Sequence, residues 1–392
     1  MRHVRLGDIA QLVRGVSYKP SELALGPATN TVPLLRATNI VNSGLNTTDV
    51  LYVESHRVSN EQRLRRGDIV IAMSSGSRTA VGKLAQLTTN WTGCCGAFCG
   101  VIRPNQQQVD AGYLGIALRH PRFRDRIEYM AQGTNIKNLS RQHLLGYEIT
   151  LPSLDDQRRV ARILSTIEAA SQRMEAALRA RLSVERSMRS RMFHATGGRT
   201  QLLRDLLREP LRNGYSPVAD PIGTVRVLTL SAVTYDAFVE ANTKRALLHP
   251  RMAGLWLQPG DVLVERANTR EFVGTAALYR GNPDWATYSD LMIRVRPDPS
   301  LMSPELLSEY LHLPEVRAYF RQRARGTSGS MPKIDHEIVA NLPVVVPALS
   351  EQLRMTRVFR AVQTARSSAR AELGCATDLF NSAIRQLMDP TP

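Results

Sequence analysis

The chain carries one short segment twice, about 195 residues apart. Pro152 to Gln157 reads PSLDDQ and Pro347 to Gln352 reads PALSEQ, so both copies follow the pattern Pro-x-Leu-x-acidic-Gln. Each copy opens a long segment that contains no Pro or Gly for several helical turns. A motif that returns at a fixed spacing in the same setting predicts a duplicated structural unit.

Three further anchors repeat with nearly the same spacing when loop lengths are allowed to vary. They are Gly67–Val70 with Gly260–Leu263, Val81-Gly82 with Val273-Gly274, and Leu6-x-Asp8 with Leu203-x-Asp205. A chain of 392 residues exceeds one domain of usual size and suits two of about 150 residues with connectors. We therefore predict two similar domains, 1–154 and 199–349, each followed by a long helix, 155–198 and 350–392.

Strand and helix signals follow the same order in both copies, which predicts an α+β fold without regular alternation. The predicted strands are 32–40, 68–73 and 147–151 in the first copy and 225–230, 261–265 and 342–346 in the second. The predicted shorter helices are 113–118, 123–130, 304–311 and 316–323.

The two long helices carry a narrow apolar stripe at three- and four-residue steps, which is typical of pairing with another helix. The residues predicted for helix pairing and subunit docking are Gln157, Val160, Leu164, Ile167, Met174, Leu178, Gln352, Phe359, Val362 and Leu373. Arg366 interrupts the second stripe, and Asp155 and Ser350 are the predicted N-caps. Antiparallel pairing would give the tandem repeat approximate two-fold symmetry, whereas ordinary packing of each helix on its own domain is the alternative.

Charge indicates the class of partner. The chain has 51 Lys and Arg against 35 Asp and Glu, a formal net charge of +16. Such a surface attracts a polyanion, and nucleic acid is the main candidate. Aromatic residues make up only 6% of the chain, which disfavours a single-strand binder that stacks bases on rings. The alternatives are that the charge serves solubility or binds an acidic protein.

Cysteine usage and hydropathy indicate the compartment. Cys94, Cys95 and Cys99 share one Gly-rich stretch and Cys375 stands alone, which is a poor disulfide framework and lacks nearby His for zinc. No apolar run reaches the ~18 residues that a membrane span needs, and the polar start is unlike a signal peptide. We predict a cytoplasmic protein without a metal site or membrane partner.

Taken together, the motifs carry a family resemblance that covers nearly the whole chain. Leu-x-Asp, the Arg-Gly-Asp-Ile-Val strand, the loop Gly133-Thr134-Asn135 and the Pro-x-Leu-x-acidic-Gln entry to a long helix resemble the specificity subunit of type I restriction-modification systems. Each motif alone is weak, but their order and duplication together are specific.

The resemblance implies a non-catalytic subunit of bacteria or archaea in which each of two target recognition domains reads one half of a split, asymmetric site in duplex DNA. The paired helices would fix the unread gap and bind two methyltransferase subunits. Those partners would methylate adenine with S-adenosylmethionine, and added restriction subunits would cleave DNA with ATP and magnesium. This chain itself would bind no cofactor.

Polar loops supply the side chains that DNA recognition needs, because Lys and Arg bind phosphates while Arg, Asn and Gln can pair with base edges. In the first copy the predicted DNA-binding residues are Ser17, Tyr18, Lys19, Thr38, Asn39, Ser75, Ser77, Arg78, Lys83, Thr134, Asn135, Lys137 and Asn138. In the second they are Asn213, Tyr215, Arg266, Asn268, Thr269, Arg270, Arg325, Thr327, Ser328, Ser330 and Lys333. The loops differ between copies while the anchors match, which predicts two different half-sites.

Two stretches of the sequence partly match catalytic motifs, but each departs from its motif in spacing or in residue type. The stretch Gly76 to Lys83 resembles a phosphate-binding loop, but five residues separate its glycines and Leu84 replaces the required Ser or Thr. Asn282-Pro283-Asp284-Trp285 departs from an amino-methyltransferase site at its third and fourth positions. No catalytic residue is predicted. A methylation-only complex, another phage-defence complex and a basic protein-binding scaffold remain as alternatives.

Overall fold

The computed structural model describes residues 2–24, 26–41, 44–75, 80–130, 137–234, 238–326 and 331–388. The chain forms two compact α+β units. Unit 1 comprises residues 1–175 with 371–392, and unit 2 comprises residues 176–370. Each long helix therefore divides its length between the two units, so the unit boundaries fall inside helices rather than at their ends.

Unit 1 is built on two four-stranded sheets with the orders β10-β8-β12-β2 and β11-β4-β7-β3. Its strands are β1 (Arg2–Arg5), β2 (Ala10–Arg14), β3 (Leu23–Ala24), β4 (Thr31–Leu35), β5 (Ile40–Val41), β6 (Gly44–Leu45), β7 (Leu51–Glu54), β8 (Ile69–Ala72), β9 (Ser74–Ser75), β10 (Leu84–Gln86), β11 (Cys94–Cys95), β12 (Cys99–Pro104), β13 (Lys137–Asn138) and β14 (Glu148–Leu151). Its helices are α1 (Leu6–Ile9), α2 (Ala111–Ala117), α3 (Pro121–Met130), α4 (Arg141–Leu145) and the first part of α5 (Leu154–Ala195).

Unit 2 has the corresponding four-stranded sheet, with the order β16-β22-β19-β20, and a second sheet of three strands, with the order β18-β17-β21. Its strands are β15 (Arg199–Leu202), β16 (Arg212–Asn213), β17 (Val225–Leu228), β18 (Thr243–Ala246), β19 (Val262–Glu265), β20 (Ala276–Leu278), β21 (Thr287–Tyr288), β22 (Met292–Val295) and β23 (Pro343–Val346). Its helices are α6 (Pro304–Leu311), α7 (Pro314–Arg323), α8 (His336–Ala340) and the first part of α9 (Leu349–Met388). In both units the first and last strands pair antiparallel, β1 with β14 and β15 with β23.

The repeated Gly-Asp motif holds a turn in each unit. Gly67 and Gly260 have φ values of 95° and 96°, a left-handed conformation that glycine adopts without steric cost. The following carboxylate is buried and accepts two hydrogen bonds from one guanidinium. Asp68 accepts from Arg103 at 2.9 and 2.7 Å, and Asp261 accepts from Arg296 at 2.5 and 2.8 Å. The motif is therefore a structural anchor of the sheet.

The repeated Val-Gly motif lets a helix approach the sheet closely. A Cβ atom at Gly82 would lie 2.4 Å from Ile127 of α3, and one at Gly274 would lie 2.6 Å from Phe320 of α7. Such distances exclude any larger residue without a shift of the helix. Both copies retain glycine because both pack a helix at this point.

The glutamine of the Pro-x-Leu-x-acidic-Gln motif is an internal hydrogen-bonding residue, which corrects our prediction that it belongs to a pairing or docking surface. Gln157 is 1% exposed, accepts from the backbone N–H of Asp110 at 2.9 Å and donates to the carbonyl of Pro152 at 3.0 Å. Gln352 is 2% exposed and makes the same pair of bonds with Ser303 and Pro347. Asp110 and Ser303 are the N-caps of α2 and α6, so the motif ties each long helix to a second helix start.

The N-cap predictions at Asp155 and Ser350 are wrong by two residues. Helix α5 begins at Leu154, and the hydroxyl of Ser153 accepts from the backbone N–H of Asp156 at 3.2 Å. Helix α9 begins at Leu349, after Ala348. Asp155 and Ser350 therefore lie in the first turn, where the negative charge of Asp155 interacts favourably with the helix dipole.

In unit 1 the long-helix segments meet the domain through mainly apolar contacts. Val160, Leu164 and Ile167 of α5 join one core cluster with Phe380, Ala383 and Ile384 of α9. Arg119, which follows α2, donates to Glu168 at 3.0 Å through Nη2 and places its guanidinium 5.6 Å from the centre of the Phe380 ring. The two helix segments therefore share one core within unit 1.

In unit 2 the corresponding helix segments run antiparallel around a buried ionic cluster. Phe193 of α5 stacks on Phe359 of α9 with ring centroids 6.1 Å apart, and Glu185, two turns earlier, accepts from Arg366, two turns later, at 3.0 Å. Arg189 lies between them and donates to Glu185 at 3.2 Å and to Glu309 of α6 at 2.8 Å. Arg366, which interrupts the apolar stripe in the sequence, is part of this cluster.

The remaining stripe residues differ in burial. Leu178, Val362 and Leu373 are half-buried. Met174 is 40% exposed, so the packing of the long helices does not bury every residue of the predicted apolar stripe.

Candidate nucleic-acid interface

In unit 1 the fold brings together two polar loops that lie about 60 residues apart in the sequence. Strand β9 pairs antiparallel with β13, which aligns Ser75 with Lys137 and Ser74 with Asn138. The exposed Lys83 follows the first of these loops. Ser77, Arg78, Thr134 and Asn135 lie outside the described residues, as does the side chain of Lys137. The described ends of both loops lie side by side, as a shared binding edge requires.

A tight turn lies beside these loops. Cys99 donates its backbone N–H to the carbonyl of Gly96 at 2.8 Å, and the carbonyl of Phe98 accepts from Met73 at 2.9 Å and Ser74 at 3.2 Å. A Cβ atom at Gly96 would lie 3.0 Å from the ring of Tyr18. The turn therefore connects the region of Tyr18 to strand β9.

The other predicted residues of unit 1 are divided between exposed and buried positions. Ser17, Lys19 and Thr38 are exposed. Asn39 is 2% exposed, and its amide donates to the carbonyls of Asn46 at 2.9 Å and Asp49 at 2.6 Å while accepting from Arg36 at 2.8 Å. Both Nδ2 hydrogens of this amide are in use and the side chain is buried, so in this placement Asn39 positions the loop and does not present its side chain to DNA.

Unit 2 builds an equivalent edge from its own loops. Lys333 forms bridges with both Ala267 and Arg325, and the N–H of Ile334 donates to the carbonyl of Arg266 at 2.9 Å. Thr269, Arg270, Arg325 and Lys333 are exposed. Thr327, Ser328 and Ser330 lie outside the described residues. Two loops separated by about 60 residues again meet, and here the described edge carries several cations.

Residues near Asn213 and Tyr215 extend the edge in unit 2 and were missed by the sequence patterns. His336 contacts the Oδ1 of Asn213 through Nε2 at 2.9 Å, and His249 stacks on Tyr215 with ring centroids 4.8 Å apart. Arg251 places its guanidinium 5.7 Å from the centre of the Tyr215 ring. Isolated His and Arg residues carry no local motif, so only the fold identifies them.

Asn268 is held from inside by a buried carboxyl group. Its Nδ2 donates to Glu265 at 2.9 Å, and its Oδ1 accepts from the N–H of Thr269 at 2.7 Å. Burial raises the pKa of Glu265 to about 7. One Nδ2 hydrogen and one lone pair of Asn268 remain for a ligand, which is the minimum for pairing with adenine.

The Glu265→Gln variant should remove a pH dependence from unit 2. A carboxyl group whose pKa is raised by folding stabilises the folded state at low pH, and this contribution is lost as the pH rises through about 7. The wild type should therefore lose more unfolding free energy than the variant between about pH 4.5, the ordinary pKa of the group, and about pH 7. The exposed Glu271→Gln variant is the control, and equal pH profiles for all three proteins would contradict the assignment.

Comparison with known proteins identifies the family. Residues 1–183 match the family model of the type I restriction modification DNA specificity domain. The chain is 28% identical over 378 residues to the specificity subunit of the type I restriction enzyme EcoKI of Escherichia coli K12, covering 90% of this chain and 80% of that protein. Over 90% of its length this chain is similar to the specificity subunits of type I restriction-modification systems, and residues 1–183 match their DNA specificity domain.

A second specificity subunit, that of the StySPI enzyme of Salmonella potsdam, is 26% identical over 376 residues, again covering 90% of this chain and 80% of the relative. The solved type I specificity subunit of M. genitalium shares the fold with a TM-score of 0.60 at 11% identity, covering 100% of this chain and 96% of that one. A structure from work on assembly and conformational transition of the type I system gives a TM-score of 0.53 at 17% identity, covering 99% and 97%. The predicted family and α+β fold are confirmed.

Among the described residues, no three or more His, Cys, Asp or Glu side chains are grouped so that they could hold a metal ion, and none of the helices has the length and apolar character of a membrane span. All four cysteines are free, and burial raises the pKa of Cys94 and Cys99 to about 12. These two thiols stay protonated and pack as small apolar side chains. As a specificity subunit, the chain is the non-catalytic member of its complex.

Proposed function

We propose that each unit of this specificity subunit binds one half of a split, asymmetric site in duplex DNA. One observation carries the proposal: the two units share their anchors and strand orders, yet the loops at the corresponding edge differ. Unit 1 presents the Ser74–Ser75 and Lys137–Asn138 strands, whereas unit 2 presents Arg270, Arg325 and Lys333. Equal scaffolds place the loops similarly, and different side chains select different base edges.

The long helices and the surfaces beside them are the proposed binding region for two methyltransferase subunits, and they would also set the length of the unread gap. Leu353 and Val184 are 63% and 68% exposed on α9 and α5, as suits a helix face that another subunit covers.

S-adenosylmethionine would bind the methyltransferase subunits, while ATP and magnesium would bind restriction subunits. The proposed compartment is the cytoplasm of a bacterium or archaeon, where the DNA lies.

Single-molecule sequencing of adenine methylation tests this function. Cells would express the chain with its neighbouring methyltransferase, the chain alone, or the methyltransferase alone. We expect a split motif with a constant gap only when both proteins are present, because recognition and catalysis lie on different chains. Methylation from the chain alone would overturn the non-catalytic assignment. No motif in any sample would favour a protein-binding scaffold.

A further inference from the structure

Phe98 of unit 1 is a large apolar side chain that is 66% exposed. A single exposed apolar residue is common on protein surfaces and needs no special role. Its location is what indicates a function here. The backbone carbonyl of Phe98 accepts from Met73 at 2.9 Å and Ser74 at 3.2 Å, where strand β9 begins. Phe98 is therefore fixed directly beside the paired loops of the proposed DNA-binding edge.

Backbone hydrogen bonds hold the turn that carries Phe98. The bond from Cys99 to Gly96 closes the turn at 2.8 Å, and Cys99 begins strand β12 in the centre of a sheet. Gly96 is bonded to Leu35 at 2.9 Å, and the Tyr18 ring lies against it. The backbone of Phe98 is therefore preorganised, so only the freedom of its side chain is lost when it meets a ligand.

Unit 2 builds the same turn with different residues. Met292 donates to the carbonyl of Ser289 at 3.1 Å, and Arg266 donates to the carbonyl of Leu291 at 2.7 Å, as Ser74 does to Phe98. Leu291 is half-buried, and the exposed residue of this turn is Asp290, which accepts from the Ser216 hydroxyl at 2.5 Å. Leu291 therefore stands where unit 1 has Phe98, and the carboxylate of Asp290 lies one position earlier in the turn. Unit 1 presents a large exposed apolar side chain at this turn and unit 2 an exposed carboxylate, a difference suited to two half-sites.

We infer that Phe98 contacts the bases of the half-site that unit 1 reads, an assignment that rests on the proposed function. A phenyl ring can pack on a thymine methyl group in the major groove or insert between base steps. Neither contact involves a phosphate, so the residue contributes to sequence-specific binding and not to general attraction for DNA. The polar side chains around it supply hydrogen bonds, and the ring supplies an apolar surface.

Phe98→Ala tests the inference in the complex of this chain with its methyltransferase subunits. The probe is a fluorescent duplex that carries the motif methylated by the wild-type complex. We expect the variant to bind it about tenfold more weakly or worse, as loss of one base contact in a duplex site gives. Binding to a duplex with the unit 1 half-site scrambled should not change, and the dependence of affinity on salt should stay at the wild-type slope because no phosphate contact is lost.

Two further variants sharpen the test. Lys83→Ala, at an exposed cation beside the same edge, should lower the salt slope and weaken binding to both duplexes. Phe98→Leu keeps an apolar side chain and should recover part of the specific affinity. Thermal unfolding and the stoichiometry of the purified complex would be measured for every variant, because a folding or assembly defect gives the same loss of binding.

Three results would overturn the inference. Wild-type affinity of Phe98→Ala for the specific duplex would place Phe98 outside the DNA contact. Equal weakening on the specific and scrambled duplexes would assign it a general role. Loss of a methyltransferase subunit from the complex would show that Phe98 is a protein-docking residue. If the wild-type complex methylates no motif, the proposed function fails first, so the two failures are distinguishable.

Discussion

The Arg189→Met variant should destabilise unit 2 by about 3 kcal/mol or more, the usual cost of removing one partner from a buried ion pair. Arg189, Glu185 and Glu309 are each about 7% exposed in their side chains. Without Arg189, Glu185 keeps Arg366 at 3.0 Å and Glu309 keeps the amide of Gln363 at 2.8 Å. Neither remaining partner replaces a guanidinium that joins both carboxylates. Denaturant unfolding of the full chain, with hydrogen exchange to locate the change in unit 2, would measure the loss.

A quadruple variant provides the matched control. Glu185→Leu, Arg189→Met, Glu309→Leu and Arg366→Met together remove the four charges and leave apolar groups, and the quadruple variant should cost less than Arg189→Met alone. The repeat supports this expectation, because the equivalent positions in unit 1 are Phe380, Ile384 and Ile116, all in the apolar core cluster. Unchanged unfolding of Arg189→Met, or a quadruple variant that is less stable than the single one, would refute this account of the cluster.

The contrast between the two units also bears on which helix segments pair. An apolar contact in unit 1 tolerates many partners, whereas the ionic cluster of unit 2 requires Glu185 and Arg189 from α5 opposite Arg366 from α9. A helix segment with the unit 1 residues at these positions would leave buried charges without partners. Buried polar residues are known to fix the register and partners of paired helices in this way. Arg366, which interrupts the apolar stripe in the sequence, is thus one of the residues that determine which helix segments pair.

Local patterns in the sequence were sufficient for much of the fold. The predicted helix 304–311 matches α6, and strands 225–230 and 342–346 contain β17 and β23. Strand 32–40 was too long, because a 3₁₀ turn at Ala37–Asn39 ends the extended segment. These successes follow from periodicity and turn residues, which act over a few positions.

Contacts between distant residues could not be predicted from such patterns. Asn39 has the residue type of a base-reading side chain, but it is buried because Asn46 and Asp49 fold back onto it. Glu265 continues the strand pattern of β19, and only the fold shows that it is buried and holds Asn268. The pairing of β9 with β13 likewise depends on tertiary packing. Sequence reasoning found the loops, whereas their assembly into one edge required the structure.

Gln352→Ala should cost unit 2 about 3 kcal/mol, because it leaves several buried polar groups without partners. The side chain accepts from the N–H of Ser303 at 2.9 Å and donates to the carbonyls of Leu301 at 2.9 Å and Pro347 at 3.0 Å. Hydrogen exchange should therefore accelerate first at the start of α6. Gln157→Ala should have the same effect in unit 1, at the start of α2, but a smaller one.

Gln157 forms two of these bonds where Gln352 forms three, which gives the order of the two effects. The exposed Gln172→Ala on α5 is the control and should leave both units unchanged. If Gln157→Ala and Gln352→Ala instead reduced methyltransferase binding without changing exchange at either helix start, the glutamines would act at a docking surface. The burial of both side chains predicts the opposite, because a residue that joins a strand, a long helix and a second helix start from inside acts on the fold before it acts on a partner.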